Sequence, residues 1–289
     1  MVEKEFIYPK LAPPELQNIL LLLKQLSMAF TPLKFKFDKD LLELLADKIL
    51  ETSTPFDKIK FQKNTQKLLS PFELKDRVNI IADELNNYLS GNYTKKLSLL
   101  IHILGPENKG AYGTFNDFFW TWPIGAFIER HGLDHEDLSI TAIKELTKRG
   151  TGEFAIRPFI RQNRKKLIQI MTDWSLDENF HVRRLASEGL RPKLPWSSKM
   201  VLFIETPKQV FAILENLKND PERYVQTSVA NHINDYFKVN YKEAIALIND
   251  WSKHPEIHTR WIIKHAIRNY RKKGVTWALD LTATMNDFG

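Results

Sequence analysis

The sequence predicts an all-α protein: an α-solenoid of stacked HEAT-like helical pairs with a concave basic face. Between Lys166 and Asn269, a pattern of apolar helix, polar turn and second helix occurs three times. Val182, Val225 and Thr259 open the second helices, 43 and 34 residues apart, and such periods are typical of HEAT or armadillo repeats. The 289 residues include only 11 glycines, which also favours helices over a β-rich fold.

Weaker helical signals precede the repeats. Residues 1–35 are predicted to form an N-terminal helical extension, because Pro13 begins an apolar segment that reaches Met28. Residues 36–150 are predicted to form the N-terminal helical pairs, with helices over 38–50, 71–89 and 95–104.

Three features organise the middle and the end of the chain. Residues 105–113 are loop-like, and an aromatic cluster over 115–123 leads into a helix that ends at His131. Residues 151–289 hold the clear repeats, and the last helical segment, 276–285, is predicted to be a C-terminal cap. Because no low-complexity linker divides the chain, we expect one domain over 1–289.

Composition narrows the compartment and the chemistry. The absence of cysteine excludes disulfides, cysteine nucleophiles and thiolate metal sites. The longest wholly apolar run, Ile19 to Leu23, is too short to span a membrane, and no signal peptide is evident, so a cytoplasmic bacterial-type protein is expected. Phosphate-binding glycine motifs and a hydrolase nucleophile motif are missing. His254 and His258 have metal-ligand spacing but no third ligand, so a structural role is favoured and neither a metal nor a cofactor is expected.

Positive charge is concentrated in one window. The net charge is +7, and residues 157–199 hold ten lysines and arginines against four acids. On a concave helical scaffold such a window indicates nucleic-acid binding, although a solvated basic surface is the alternative. Aligning the repeats adds three polar columns across the second helices. The columns are Arg184, Thr227 and Trp261; Glu188, Asn231 and His265; Arg191, Asn234 and Arg268. The alternative to a functional role for the first two columns is a surface ion pair between Arg184 and Glu188, which are spaced i, i+4.

Several segments together resemble a known family. They are FDKDLLELLADKI, LSPFELKDRVNIIADELNNYLSGNY, FIERHGLD, LTKRGTGEFAIRPFI, HVRRLASEGLRPKLPW and DPERYVQTSVANHINDYFK. The chain resembles the AlkC branch of the bacterial alkylbase DNA glycosylases over about Phe37 to Tyr270. The resemblance implies removal of cationic alkylated bases, chiefly 3-methyladenine and also 3-methylcytosine, by a monofunctional enzyme without metal or cofactor. Its implied partner is double-stranded DNA containing alkylated bases, bound in the concave face, and we expect a monomer.

The chemistry agrees with this implication. A cationic base leaves as a neutral molecule, so the reaction needs no general acid. It needs a carboxylate and an aromatic face that stabilise an oxocarbenium-like sugar, and a water that attacks it. The matching segments supply candidates for each role. Glu153 is the first candidate for the carboxylate that stabilises the charge and positions the water, with Glu188 and Asp235 as alternatives, and the candidate lesion-facing aromatics are Trp122 and Trp196. The candidate DNA-binding residues are Arg157, Arg161, Arg183, Arg184, Arg191, Lys193, Asn231 and His232.

Other interpretations stay open. Glu153 follows a helix break, so it is also explained as a glutamate at a helix N-terminus, where the helix dipole favours negative charge. The main rival function is a non-enzymatic HEAT-repeat DNA-binding module, which gains nothing from a carboxylate inside a basic face. A protein-interaction solenoid is a weaker rival, because it predicts apolar rather than basic columns.

Overall fold

The computed structural model describes residues 32–52, 55–112 and 117–287, and within these ranges it contains fifteen α-helices and no β-strand. The helices are α1 (Lys39–Leu50), α2 (Lys58–Leu69), α3 (Leu74–Tyr88), α4 (Tyr93–His102), α5 (Trp122–His131), α6 (Glu136–Thr147), α7 (Ile156–Gln162), α8 (Arg164–Trp174), α9 (Phe180–Glu188), α10 (Lys208–Leu217), α11 (Arg223–Val239), α12 (Tyr241–Trp251), α13 (Ile257–Ala266), α14 (Arg268–Lys272) and α15 (Thr276–Asp287). Short 3-10 turns lie at Leu33–Lys36, Phe119–Thr121, Leu133–His135 and Val201–Phe203. The all-α prediction is confirmed.

The three predicted repeats are the helical pairs α8–α9, α10–α11 and α12–α13. The second helices pack side by side, α9 on α11 and α11 on α13, while the first helices α8 and α10 pack on each other. Val182, Val225 and Thr259, which the sequence places at equivalent positions, are all buried in this stack. Burying each large aliphatic side chain contributes about 1.5–3 kcal/mol, so the stacking of neighbouring pairs is what stabilises the solenoid. The side of α9, α11 and α13 that carries the three polar columns is called the second-helix face below.

Asparagine side chains cap the N-termini of several of these helices. The side-chain oxygen of Asn163 accepts a hydrogen bond from the amide of Lys166 in α8, and that of Asn240 accepts one from the amide of Glu243 in α12. Asn179 caps α9 in the same way. Each such cap contributes about 1 kcal/mol and fixes where the chain turns from one helix into the next.

Helix α2 is present although the sequence analysis did not predict it. Asp57 begins it, since its carboxylate accepts from the amide of Lys60 at 3.0 Å. The buried positions are Phe61, Thr65 and Leu69, spaced by four, and the middle one is polar. The apolar periodicity is therefore too weak to indicate a helix without the cap.

Helices were predicted at both ends of the chain. The segment predicted from Pro13 to Met28 lies outside the described residues. At the other end, the predicted cap helix is present as α15, with Ala278 and Met285 buried. None of the helices in the described ranges combines the length and apolar character that a bilayer crossing requires.

Candidate active site on the second-helix face

Glu153 lies in the short connection between α6 and α7 and is almost fully buried, with 4% of its surface exposed. A Cβ on the preceding Gly152 would lie 2.5 Å from Thr147 Oγ1 and 2.8 Å from Ile143 Cγ2, so only glycine lets the chain pass this close to α6. One Oε of Glu153 accepts from a guanidinium NH of Arg184 at 3.5 Å. The tight passage over α6 therefore brings Glu153 to the second-helix face.

Buried ionic groups continue from Arg184 along the second-helix face. Arg184 lies 3.6 Å from Glu188, and Glu188 accepts from Arg191 at 2.6 Å. Arg191 in turn donates through Nε to Asp235 at 2.9 Å. We call Glu153, Arg184, Glu188, Arg191 and Asp235 the buried ion cluster. Burial of charged groups is tolerated only when they are paired, and here three carboxylates meet two guanidinium groups.

The three carboxylates are compensated unequally. Ser228 Oγ donates to Glu188 at 2.6 Å, in addition to the two arginines beside it. Asp235 is also 3.3 Å from Lys238. Among the described residues, the one cation within ion-pair distance of Glu153 is Arg184, which Glu153 shares with Glu188. Glu153 is consequently the least compensated negative charge of the cluster.

The pKa values follow this inequality. Burial raises the pKa of Glu153, and the neighbouring charge of Glu188 adds to that effect against the opposing charge of Arg184. Burial also raises the pKa of Glu188, but the charges of Arg184 and Arg191 and the hydrogen bond from Ser228 outweigh it, so that its pKa is lowered overall. Glu188 is the ionised partner of the arginines, whereas the protonation of Glu153 is the more sensitive to charges placed beside it.

Tyr224 is a member of this site that the sequence analysis missed. The guanidinium of Arg184 stacks over its ring, 4.5 Å from the ring centre, and its buried hydroxyl has no hydrogen-bond partner among the described residues. Burial raises the pKa of Tyr224 to about 12, so the hydroxyl keeps its proton. A repeat signal existed: Tyr224 is equivalent to His181 and His258, which places a ring at the same position of every copy.

Phe154, the residue after Glu153, belongs to a cluster of aromatic rings. Phe154 stacks on Trp122 with ring centres 5.0 Å apart, and Trp122 lies 6.3 Å from Trp196. Trp122 is only 4% exposed, which contradicts its prediction as a lesion-facing aromatic. Its buried ring packs against those of Phe154 and Trp196 instead. Trp196 is 52% exposed and has a φ of 55°, a left-handed conformation that costs a bulky residue on the order of 1–3 kcal/mol.

Arg157 holds the loop that carries Trp196. Its guanidinium donates to the carbonyl oxygens of Gly189, Arg191 and Ser198 at 2.7–2.9 Å, and the residue is 1% exposed. Burial, with the nearby charges of other arginines, lowers the pKa of Arg157 to about 10. The prediction that Arg157 binds phosphate is wrong, because its donors point into the protein and ligate backbone.

Two further predicted DNA contacts have internal roles. Arg183 donates to both carboxylate oxygens of Asp220, at 2.6 and 3.2 Å, and to the carbonyl of Asp177, so that it ties the turn of one repeat to the turn of the next. His232 is fully buried against Tyr236, and burial together with the charge of Arg191 lowers the pKa of His232 to about 3. Neither side chain is placed to contact a phosphate.

Arg184 and Arg191 are also engaged internally, as members of the buried ion cluster, and this contradicts their prediction as direct phosphate ligands. Three other predicted contacts remain compatible with DNA. Lys193 is exposed, Arg161 is exposed with one bond to Ser198 Oγ, and Asn231 is half-buried. Among the residues that the structure describes, no group of three or more histidines or acids is placed to hold a metal ion.

Comparisons with known proteins identify the family of this chain. Residues 151–270, which span Glu153 and the three repeats, match the family of DNA alkylation repair enzymes. The uncharacterized protein YhaZ of Bacillus subtilis (strain 168) is 36% identical over 252 residues, which are 86% of this chain and 67% of YhaZ. The structure of Pseudomonas fluorescens alkylpurine DNA glycosylase AlkC, bound to DNA containing an abasic site analog, is similar with a TM-score of 0.78 at 33% identity. That similarity covers 87% of this chain and 67% of AlkC.

The fold and the comparisons thus define a helical-repeat protein of DNA alkylation repair. This chain belongs to the DNA alkylation repair enzyme family, and within it to the AlkC branch that its sequence resembles.

Proposed function

We propose that this chain is an alkylbase DNA glycosylase, which hydrolyses the N-glycosidic bond of cationic alkylated bases such as 3-methyladenine and 3-methylcytosine. The observation that carries the proposal is Glu153, a buried and weakly compensated carboxylate beside an aromatic cluster on the second-helix face. A buried carboxylate of this kind would weaken a surface that only binds phosphates, because its negative charge repels the DNA backbone.

The proposed reaction breaks one bond and forms one. The bond between C1′ and the base nitrogen breaks, and the base takes the electron pair and leaves uncharged. The sugar then carries the positive charge, which Glu153 stabilises by electrostatic attraction. A water molecule adds to C1′ and releases its proton to the Glu153 carboxylate and from there to solvent.

The other groups of the cluster have supporting roles in this proposal. Arg184 holds Glu153 in place through the 3.5 Å contact, while Glu188 and Tyr224 hold Arg184. Trp196 is the exposed aromatic that contacts the alkylated base, with a cation–π contribution of about 0.5–2 kcal/mol. AlkC, with which this chain shares its fold, is a glycosylase in a DNA complex, which supports DNA as the partner.

The test is single-turnover release of methylated bases from duplex DNA treated with a methylating agent, with wild type and Glu153→Gln side by side. We expect the wild type to release 3-methyladenine and the variant to bind the same DNA without releasing it. Release by both proteins would retain the enzyme but move the role to Glu188 or Asp235. Salt-sensitive DNA binding with no release by either protein would establish the non-enzymatic binding module instead.

A further inference from the structure

Four arginines of the window that supplies most of the net charge are engaged inside the protein. Arg157 ligates backbone carbonyls, Arg183 pairs with Asp220, and Arg184 and Arg191 belong to the buried ion cluster. A duplex on the second-helix face therefore meets few unpaired charges from these four arginines. The DNA backbone therefore needs cations other than these four arginines.

A second basic segment lies farther along the repeats. Residues 257–275 contain six lysines and arginines and no acid. Four of them, in and after α14, have no carboxylate within ion-pair distance among the described residues, and we call them the C-terminal cation cluster. They are Arg268, Arg271, Lys272 and Lys273. Lys272 and Lys273 are exposed, and the two arginines are partly exposed.

The cluster adjoins the candidate active site. Arg268 donates to the side-chain oxygen of Asn231 at 2.8 Å, and Asn231 lies one helical turn before Asp235 on α11. Burial lowers the pKa of Arg268, and the charge of Arg191 lowers it further while Asp235 opposes that effect. The buried ion cluster and the cation cluster are thus within electrostatic reach of each other on one face.

A cavity of about 180 Å³ opens between α11 and α14 beside the cluster. It is lined by Asn234, Phe237, Lys238, Asn269, Tyr270 and Lys273. Ammonium and amide groups donate hydrogen bonds to phosphate oxygens, and the ring walls offer apolar contact to a sugar. This combination fits one nucleotide of a DNA backbone better than it fits an apolar ligand or a cation.

We propose that the C-terminal cation cluster and this cavity bind the phosphodiester backbone of duplex DNA on one side of the alkylated base. The proposal rests on the proposed function, because it takes the buried ion cluster as the position of the base. Helices α9 and α13 are two packing steps apart, or roughly 16–20 Å at usual interhelical distances. At 3.4 Å per base pair, the cluster then contacts phosphates about five or six base pairs from the base.

The first test measures binding to an undamaged duplex over a range of salt concentrations. Lys272→Ala/Lys273→Ala removes two exposed charges from the cluster. The matched control, Lys165→Ala/Lys208→Ala, removes two exposed charges from the first helices α8 and α10, and neither has a carboxylate within ion-pair distance in the part of the chain that the structure describes. Each lost phosphate contact lowers the slope of log K against log salt by about 0.9, so the cluster variant should lose up to about 1.8 and the control close to nothing.

Equal slopes for the two variants would refute the site. So would a wild type that does not bind the duplex. Binding with the expected slopes but without base release would reject the glycosylase proposal and leave the DNA-binding site standing, so the two failures are distinguishable.

The second test shortens the duplex on one side of a central abasic site analog at a time, from ten base pairs to three. We expect wild type and control to lose affinity for only one of the two truncated duplexes. The cluster variant should bind that duplex and the full-length one equally well. Equal losses on both sides, or identical behaviour of all three proteins, would place the backbone contact elsewhere.

Discussion

Replacing Glu153 with glutamine is the most direct perturbation of the proposed chemistry. The amide keeps the shape of the side chain and one acceptor for Arg184, but it removes the negative charge. At a separation like the 3.5 Å that Arg184 keeps, and at an effective dielectric constant of about 20, a carboxylate stabilises a unit positive charge by about 4–5 kcal/mol. Each 1.36 kcal/mol changes the rate tenfold, so excision should slow by up to about a thousandfold, the limit in which Glu153 attracts the charged sugar and not the charged base.

The variant should remain folded, because Arg184 keeps Glu188 at 3.6 Å and the ring of Tyr224. The assay is the single-turnover rate of 3-methyladenine release, with thermal unfolding measured on the same samples. Glu145→Gln is the matched control: this glutamate also pairs with an arginine, Arg149 at 2.8 Å, but lies outside the buried ion cluster. A rate for Glu153→Gln within tenfold of wild type and of the control, with both variants folded, would refute the role assigned to Glu153.

The excision rate should depend on pH through Glu153, because burial raises the pKa of Glu153 and its ionised form is the active one. The rate should therefore begin to decline, as the pH falls, at a pH above the ordinary glutamate pKa of 4.5. A rate that stays unchanged down to pH 4.5 would contradict the role assigned to Glu153. Trp196→Gly and Trp196→Ala should both slow excision. The free energy of unfolding should be about 1 kcal/mol larger for the glycine variant than for the alanine variant, because only glycine adopts the φ of 55° without strain. Equal stabilities in denaturant titrations would show that this backbone is not strained. Burial lowers the pKa of His232 to about 3 against 6.5 in the unfolded chain, so its stabilising contribution is present above pH 6.5 and is lost as the pH falls. Wild type should lose about 2 kcal/mol more stability than His232→Phe between pH 7.5 and 5, and parallel pH profiles of the two would rule this out.

The solenoid was predictable because it depends on local periodicity. Apolar spacing, turn residues and the repeat itself are all visible along the chain, and the second helices begin within two residues of Val182, Val225 and Thr259. Helix α2 was missed because a buried threonine interrupts its apolar spacing. The position of Glu153 on the second-helix face was also expected, from the glycine-bounded break before it.

The pairing within the site was not predictable in the same way. Arg184 with Glu153 and Arg191 with Asp235 are contacts between residues 31 and 44 positions apart. Their partners depend on how one helical pair stacks on the next, which single-sequence spacing does not fix. Arg157 illustrates the consequence: an arginine in a basic window indicates a surface contact, but here it holds a buried loop. Asp235 does have a local partner, Lys238 at i+3, which the sequence analysis overlooked.

The position of Glu153 matters more to the proposed mechanism than its charge alone. A cationic alkylated base already carries one positive charge before the reaction, and in the transition state that charge has moved to the sugar. A carboxylate equally close to base and sugar would stabilise both states and leave the rate unchanged, since only differential stabilisation accelerates a reaction. The mechanism therefore requires Glu153 to lie nearer the sugar and Trp196 nearer the base. Glu153 substitutions should then change the single-turnover rate with little effect on binding of damaged DNA, and Trp196 substitutions should weaken that binding as well.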